Sequence, residues 1–282
     1  MKECPFKFKL DSYIHPSDLN TRSLFDKSYS EPLSSSAIDV FYEKTIELNK
    51  LIKKPEESTG ALPNLVLLGY ISAVESYFRE IIRRLIIIDE SSRLACESQT
   101  LTYGAVIVHE KPEMLPEALM ENRSFANKKV IIDSLRELLG LKGSLPSEVE
   151  EVLEEFSKVC HLRHCIVHRF GKLGSNNAIK LGLMEHKECL EKPLTIDYRN
   201  FQEILLICNN TVKVVNNFLF QRILNRTADT SGCLWTWDFR KDKKDFKRYY
   251  DTFVSENHQV TMKAVYDGFR KACTNSSNKG SK

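Results

Sequence analysis

Apolar residues recur every three or four positions over several long stretches of this chain, which is the spacing of one face of an α-helix. The clearest stretch begins at Pro63 and ends near Asp89. The same spacing predicts further helices over 36–51, 125–141, 147–170, 201–226 and 260–272. The apolar segment 101–108 has no clear period and fits either a short strand or a buried helical turn. The pattern therefore predicts an all-α protein.

Polar and proline-rich segments predict three parts within the 282 residues. We expect residues 1–60 to form an N-terminal lead-in followed by one helix. Residues 61–226 then form the main helical domain, and residues 227–282 a C-terminal extension. The last ten residues are polar and small, so we expect them to be a disordered tail.

The charge balance of 41 Lys and Arg against 38 Asp and Glu gives a formal net charge of +3. This value excludes a histone-like polycation, so any nucleic-acid binding must come from a local patch. The eight cysteines contain no CxxC pair, and the N-terminus has no apolar signal region. The longest apolar runs are far shorter than the roughly 20 residues of a membrane span. We therefore expect a soluble protein of the reducing cytoplasm that does not bind a membrane.

The candidate chemistry lies between residues 160 and 171, where Arg163 is accompanied by His161, His164 and His168. At about 100° per residue, Arg163 falls in the middle of an apolar arc that continues to Val167 and Phe170. The three histidines fall together on the adjacent flank. Arg163 and His168 diverge by about 140° on a straight helix. A long arginine, a distorted helix end or a second subunit could bring them to one phosphate.

An arginine on an apolar face needs a partner, because burying an unpaired guanidinium is costly. One interpretation is a buried ion pair with Glu75, on the helix that begins at Pro63. Another is that Arg163 faces a cleft and binds a phosphate, which its planar fork suits. If Glu75 instead pairs with Arg79 at a wet surface, it contributes little.

A metal site is a competing interpretation of the same segment. His161, His164, Cys165 and His168 are spaced i, i+3, i+4 and i+7, so their side chains could converge on one ion. A single helix rarely supplies all four ligands, and no partner on a second helix is evident. We therefore expect no metal.

The hexapeptide Arg163-His164-Cys165-Ile166-Val167-His168 fits the R-x4-H motif, and Arg169-Phe170-Gly171 resembles the sequence that often follows it. On these residues the chain resembles the HEPN superfamily (higher eukaryote and prokaryote nucleotide-binding domains). The helix that carries Glu75 and the segment 124–141 are similar to bacterial branches found in defence and toxin–antitoxin loci. The resemblance covers roughly residues 62–226.

The resemblance implies an all-α HEPN-like bundle acting as a homodimeric, metal-independent endoribonuclease without a cofactor. His168 would be the general base or acid when a ribose 2′-hydroxyl attacks the adjacent phosphate, and Arg163 would neutralise that phosphate. His164 replaces the usual Asn or Asp, and could orient His168 or share the proton transfer. Arg169 and Lys172, beside the motif, are the residues that we expect to hold the RNA strand.

The implied biological role is a toxin or anti-phage effector that cleaves RNA, with an antitoxin or sensor protein as a possible partner. The alternative is a non-catalytic HEPN-like binding module within such a complex. Both share the fold, and they differ in whether Arg163 and His168 act on a substrate.

A second basic segment runs from Arg240 to Arg248 and is followed by two tyrosines. Cations beside aromatic rings suit a nucleic-acid backbone with stacked bases. Asp242 and Asp245 interrupt the run, which favours a solvated helix face instead.

Overall fold

The computed structural model describes residues 8, 10, 17–29, 35–108, 112–229 and 234–279 of the chain. The chain divides into two compact units, Met1–Leu33 and Ser34–Lys282. In the first unit, a 3₁₀ turn, Thr21–Leu24, is capped by the side chain of Asn20. The expected divisions at 60 and 226 therefore do not coincide with the boundary between the units.

Helices dominate the second unit, and the described residues contain no strand beyond one isolated bridge between Lys172 and Pro193. The predicted all-α class is confirmed. The eleven helices among the described residues are α1 (Ala37–Asn49), α2 (Leu62–Ile88), α3 (Glu90–Cys96), α4 (Tyr103–Val108), α5 (Leu115–Met120), α6 (Lys128–Leu139), α7 (Ser147–Arg169), α8 (Ser175–His186), α9 (Tyr198–Asp229), α10 (Phe239–Phe253) and α11 (Met262–Lys279).

Local signals fix several of the helix ends. Ser36 caps α1 by accepting the backbone N–H of Asp39, and Asn127 caps α6 by accepting that of Val130. α6 ends at Gly140, whose φ of 64° lies in the left-handed region that glycine adopts without strain. α2 begins with a proline in its first turn, where a missing N–H costs little.

The long helix α2 is the centre of the core and packs against α1, α6, α7, α9 and α10. Its buried face contains Tyr77, whose hydroxyl donates to the Asn216 side chain of α9 at 3.1 Å. Asn216 in turn donates to the carbonyl of Phe253 at the end of α10, at 2.9 Å. One chain of hydrogen bonds thus ties the middle of α2 to α9 and α10.

Several segments differ from the sequence prediction. Residues 101–108 include the short helix α4, and Tyr103 and Val108 are exposed rather than buried. α11 continues to Lys279, so the prediction of a disordered tail is wrong for residues 273–279. Residues 280–282 lie outside the described part of the chain. Helices α5 and α8 lack a long apolar repeat and were not predicted.

α2 also sets the distance between the R-x4-H motif at the end of α7 and the basic residues of α10. Its 27 residues span about 40 Å at 1.5 Å per residue. The end of α7 lies beside the first turn of α2, because a Cβ at Gly171 would be 3.9 Å from Nδ2 of Asn64. α10 contacts the other half of α2, since its Phe253 is linked to Tyr77 through Asn216 and its Tyr249 is close to the charge of Asp89. Within the described residues, none of the helices is both long and apolar enough to cross a membrane.

Candidate active site

The end of α7 forms the surface that carries the R-x4-H motif. α7 remains a regular helix through Arg169, and the chain then turns sharply at Phe170 (φ 51°) and Gly171 (φ 91°). The turn is closed by the N–H of Gly171, which donates to the carbonyl of Cys165 at 3.0 Å. Because the helix is regular as far as His168, a distorted helix end does not bring Arg163 and His168 together.

Helix α8 packs against this end of α7 and fixes which motif residues face inward. Asn177 of α8 is buried, and its side-chain amide donates to the Cys165 thiol at 3.3 Å. α8 is kinked at Gly182, where φ is 107°. The returning loop is held by a backbone hydrogen bond of 2.9 Å from Glu191 to the carbonyl of Leu173.

The exposed flank of α7 carries two adjacent imidazoles. The rings of His164 and His168 lie with their centroids 4.3 Å apart and tilted by 52°, and both side chains are exposed. Partial burial, followed by the charges of His168, Arg163 and Lys180, lowers the pKa of His164 below its ordinary value. His164 is therefore predominantly neutral at pH 7 and able to accept a proton.

His161 lies one turn earlier on the same flank and is half-buried. Burial and the ammonium of Lys180 lower its pKa, while Asn177 and Glu154 oppose that shift. The three predicted histidines are thus on one face, with Lys180 of α8 close to two of them. The ammonium of Lys180 adds a positive charge beside this face.

Arg163 is half-buried, and no hydrogen bond or ion pair joins its side chain to any residue that the structure describes. It is exceptional in this respect. Six described arginines are half-buried: Arg79, Arg83, Arg84, Arg123, Arg163 and Arg226. Each of the other five forms an ion pair with a carboxylate. Arg163 is therefore a partly desolvated cation that is open to an anionic ligand.

Glu75 does not fill the role that its position on α2 predicted. Its carboxylate accepts the Ser124 hydroxyl at 3.1 Å and the backbone N–H of Ala126 at 3.0 Å. The predicted direct contact with Arg163 or the histidines is wrong. The alternative of a surface pair with Arg79 is also wrong, because Arg79 pairs with Glu117 at 3.0 Å. Glu75 orders the chain that leads into α6.

The buried counter-charge on α2 is Glu80, which sequence reasoning missed. It is buried and binds the guanidinium groups of both Arg83 and Arg84. Burial acts to raise the pKa of Glu80, but the two arginines outweigh it and the pKa lies below its ordinary value. The i, i+3 and i+4 spacing of these residues is the sequence signal that could have identified the cluster.

The two residues expected to hold the RNA strand differ in their surroundings. Arg169 pairs with Glu191 at 2.6 Å and lies against Gly174, where an added Cβ would meet its guanidinium at 2.6 Å. Lys172 is exposed and, among the described residues, has no ion pair. Lys172 is thus the free cation next to the motif, and Arg169 is occupied in holding the loop.

The side chains of His161, His164, Cys165 and His168, which were considered as metal ligands, do not all point to one place. The thiol of Cys165 is buried against Asn177, whereas His164 and His168 face solvent. In the part of the chain that the structure describes, no cluster of three or more His, Cys, Asp or Glu side chains could hold a metal ion.

The apolar arc of α7 is uncovered near the motif. Val167 is exposed, and Phe170 is 90% exposed although it was expected to continue the buried arc. The adjoining α8 exposes three further large apolar residues, Ile179, Leu183 and Met184. Exposed apolar side chains of this number around a candidate site are typical of a surface that a second protein chain covers.

A cavity of about 340 Å³ lies behind the motif, between α7, α8 and the loop that follows. Leu162 and Cys165 form its α7 wall, and His186 lies on its α8 side. Nδ1 of His186 is 2.9 Å from the carbonyl of Gly182, which fixes the ring. The histidine face itself is not part of this cavity.

The chain has no significant match among protein-family models, curated proteins or solved structures.

Proposed function

We propose that the protein is a metal-independent endoribonuclease of HEPN type, acting in the cytoplasm as a toxin or anti-phage effector. The observation that carries this proposal is the state of Arg163. It is the single half-buried arginine, among those described, without a carboxylate partner, and it adjoins a pair of imidazoles 4.3 Å apart. A cation next to two proton-transfer groups is what cleavage of a phosphodiester requires.

In the proposed reaction, the ribose 2′-oxygen attacks the adjacent phosphorus and the bond from phosphorus to the 5′-oxygen breaks. His164, whose lowered pKa keeps it neutral, accepts the proton of the 2′-hydroxyl. His168 donates a proton to the departing 5′-oxygen. Arg163 neutralises the phosphate as its charge increases. The products are a 2′,3′-cyclic phosphate and a 5′-hydroxyl.

The proposed active form is a homodimer. Arg163 and His168 diverge on a regular helix, so a second copy can supply the Arg163 that faces one protomer's histidines. The exposed Val167 and Phe170 give that second copy an apolar surface to cover. Light scattering at micromolar concentration is expected to report a mass of two chains.

The decisive experiment is incubation of purified protein with RNA in the presence of EDTA. We expect cleavage products that carry 2′,3′-cyclic phosphate and 5′-hydroxyl ends. Cleavage that appears only after zinc is added contradicts the proposed metal-independent reaction. Absence of cleavage under every condition contradicts the enzyme and favours the second candidate.

The second candidate is a non-catalytic HEPN-like module that binds an antitoxin or sensor protein. The exposed apolar residues around the motif favour it, since they suit a protein partner as well as a second copy. In that case Arg163 binds a carboxylate of the partner. Substitution of Arg163 then weakens complex formation while RNA remains intact in all samples.

A further inference from the structure

We propose that the exposed side of α10 binds the phosphate backbone of RNA, at a distance from the histidine face. This basic face consists of Arg240, Lys241, Lys243, Lys244, Lys247 and Arg248. The inference rests on the proposed function only in taking RNA as the polyanion. It concerns a surface that the proposed cleavage reaction does not use.

The sequence alone favoured a solvated helix because two aspartates interrupt the basic run, and the structure changes that interpretation. Asp242 is buried and points away from the basic face. It accepts the hydroxyl of Tyr266 at 2.6 Å and the backbone N–H groups of Thr236 and Trp237, both at 3.0 Å. Asp242 therefore holds the start of α10 in place and does not neutralise the cations.

The remaining charges on the exposed side are strongly unbalanced. The six cations are accompanied by two exposed carboxylates, Asp245 and Asp251, which leaves a net charge of +4 on one helix face. Because the whole chain carries +3, all other residues together sum to −1. Lys247 pairs with Asp251, and the other five cations have no ion pair among the described residues.

The geometry of the basic face suits a linear polyanion. The six cations fall within an arc of about 160° on the helix surface, and Arg240 and Arg248 are about 12 Å apart along the axis. Each of the six side chains is exposed and therefore accessible to a ligand. Rows of cations that neutralise several phosphates give the salt-dependent, sequence-independent part of nucleic-acid binding.

An anionic membrane is a poorer match to this surface. Helices that lie on membranes insert an apolar face between the lipids. The apolar face of α10 is already occupied, because Phe246, Tyr249 and Phe253 are buried within the protein. Phe246 packs edge-on against Trp235 at 5.9 Å between ring centroids. No apolar face of α10 is therefore left for lipid insertion.

The basic face and the candidate active site contact opposite halves of α2. Gly171 lies beside the first turn of α2, whereas Phe253 and Tyr249 of α10 lie near Tyr77 and Asp89, in the second half of α2 and just after its end. This separation corresponds to about 20–40 Å along the helix axis. An RNA that contacts both surfaces must therefore extend over at least about 20 Å.

The test measures the binding of a fluorescent 30-nucleotide RNA to the full chain carrying His168→Ala, which prevents cleavage from obscuring binding. The test variant adds Arg240→Gln, Lys243→Gln, Lys244→Gln and Arg248→Gln. Glutamine retains a similar helix propensity. The matched control removes four exposed cations elsewhere, through Lys129→Gln, Arg136→Gln, Lys142→Gln and Lys213→Gln. A double variant, Lys243→Gln with Lys244→Gln, is measured if the fourfold variant loses helical signal.

We expect the test variant to bind RNA at least about tenfold more weakly at low salt, while the control binds as the parent does. The slope of log affinity against log salt is expected to become shallower by about 2–3, at roughly 0.7 per phosphate contact. The double variant should show about half of that change in slope.

The proposal is overturned if the test variant keeps the parent's affinity and slope, or if the control loses as much. It is also overturned if the parent binds phosphatidylserine vesicles or polyglutamate but not RNA. RNA binding that depends on α10, in a protein that never cleaves RNA, supports this inference while contradicting the proposed function. The two proposals can therefore fail separately.

Discussion

The arginines of α2 and the arginine of the motif have similar burial and opposite surroundings. Arg83 and Arg84 share the carboxylate of Glu80, which is buried beside them. Arg163, also half-buried, lies at the end of α7 and pairs with no carboxylate of the described residues. In α2, the charges satisfy one another within a single helix. At the end of α7, the protein accepts an unpaired charge, which is an energetic cost without structural benefit.

The two regions therefore differ in whether a half-buried cation is already paired within the fold. A cation that is already paired within the fold has little free energy left to offer a ligand. An unpaired, partly desolvated cation gains more on binding an anion, because part of its dehydration has already occurred. The two regions should therefore respond differently to substitution.

The largest expected effect is on catalysis. We expect His168→Ala to lower the rate of RNA cleavage by about 10²–10⁴-fold, because a proton-transfer group is lost. The side chain is exposed, so the melting temperature should stay unchanged. His258→Gln, at an exposed histidine in the loop before α11, is the control and should cleave normally. A His168→Ala enzyme with wild-type cleavage rates contradicts the assignment.

The second prediction compares the free energy of unfolding after substitutions in the Glu80 cluster of α2 and at Arg163 of α7. Glu80→Ala leaves the guanidiniums of Arg83 and Arg84 without their counter-charge and should lower the free energy of unfolding by about 3–5 kcal/mol. Arg163→Met removes an unpaired charge and should leave stability unchanged or slightly higher, while abolishing cleavage. Urea denaturation measures both. Equal losses in the two variants would mean that Arg163 is a structural residue.

A smaller effect is expected for Glu75. Glu75→Ala removes the acceptor of the Ser124 hydroxyl and the Ala126 N–H, and should lower the free energy of unfolding by about 1–3 kcal/mol. Cleavage by the folded variant should persist, since Glu75 does not contact the motif. Glu75→Gln keeps an acceptor and should recover part of the stability. A variant that is stable but inactive would restore a role for Glu75 in the site.

The smallest expected effect is on the pH dependence of stability. Burial lowers the pKa of His161 and His164 in the folded protein, whereas in the unfolded chain both titrate near about 6.5. Below that pH the unfolded chain binds protons that the folded protein resists, so stability falls as the pH falls from about 6.5 through the lower folded pKa values. Replacing both histidines by glutamine should flatten the melting temperature between pH 7 and 5. An unaltered slope contradicts the lowered pKa values.

The sequence was sufficient to predict the helical class and most of the long helices, since their apolar repeats are continuous. The histidine face also followed from helical spacing alone, because α7 is regular over the whole motif. α8 could not be predicted, because its repeat is interrupted at the Gly182 kink and its apolar residues Ile179, Leu183 and Met184 are exposed. Without α8, the closeness of Lys180 to two histidines was not accessible.

Contacts between helix carboxylates and loops were the part that helical spacing did not determine. Glu75 and Glu80 lie on the same helix, yet one binds the chain before α6 and the other two arginines. The partners of Glu80 follow its i+3 and i+4 spacing, whereas the partners of Glu75 depend on the path of the segment before α6, and loop paths are not periodic. The same holds for Asp242, whose inward orientation requires the Thr236–Trp237 turn and Tyr266 of α11.

The contacts of Asp242 and Trp235 make α11 necessary for holding α10 and the segment before it in place. Tyr266 and Phe269 of α11 complete the aromatic cluster around Trp235, and Tyr266 also donates to Asp242. A premature stop codon before α11 would remove the Tyr266 donor from the buried carboxylate of Asp242. It would also expose the indole of Trp235 to water. Shortened gene products that keep every motif residue should therefore unfold from α10 and be degraded by cellular proteases.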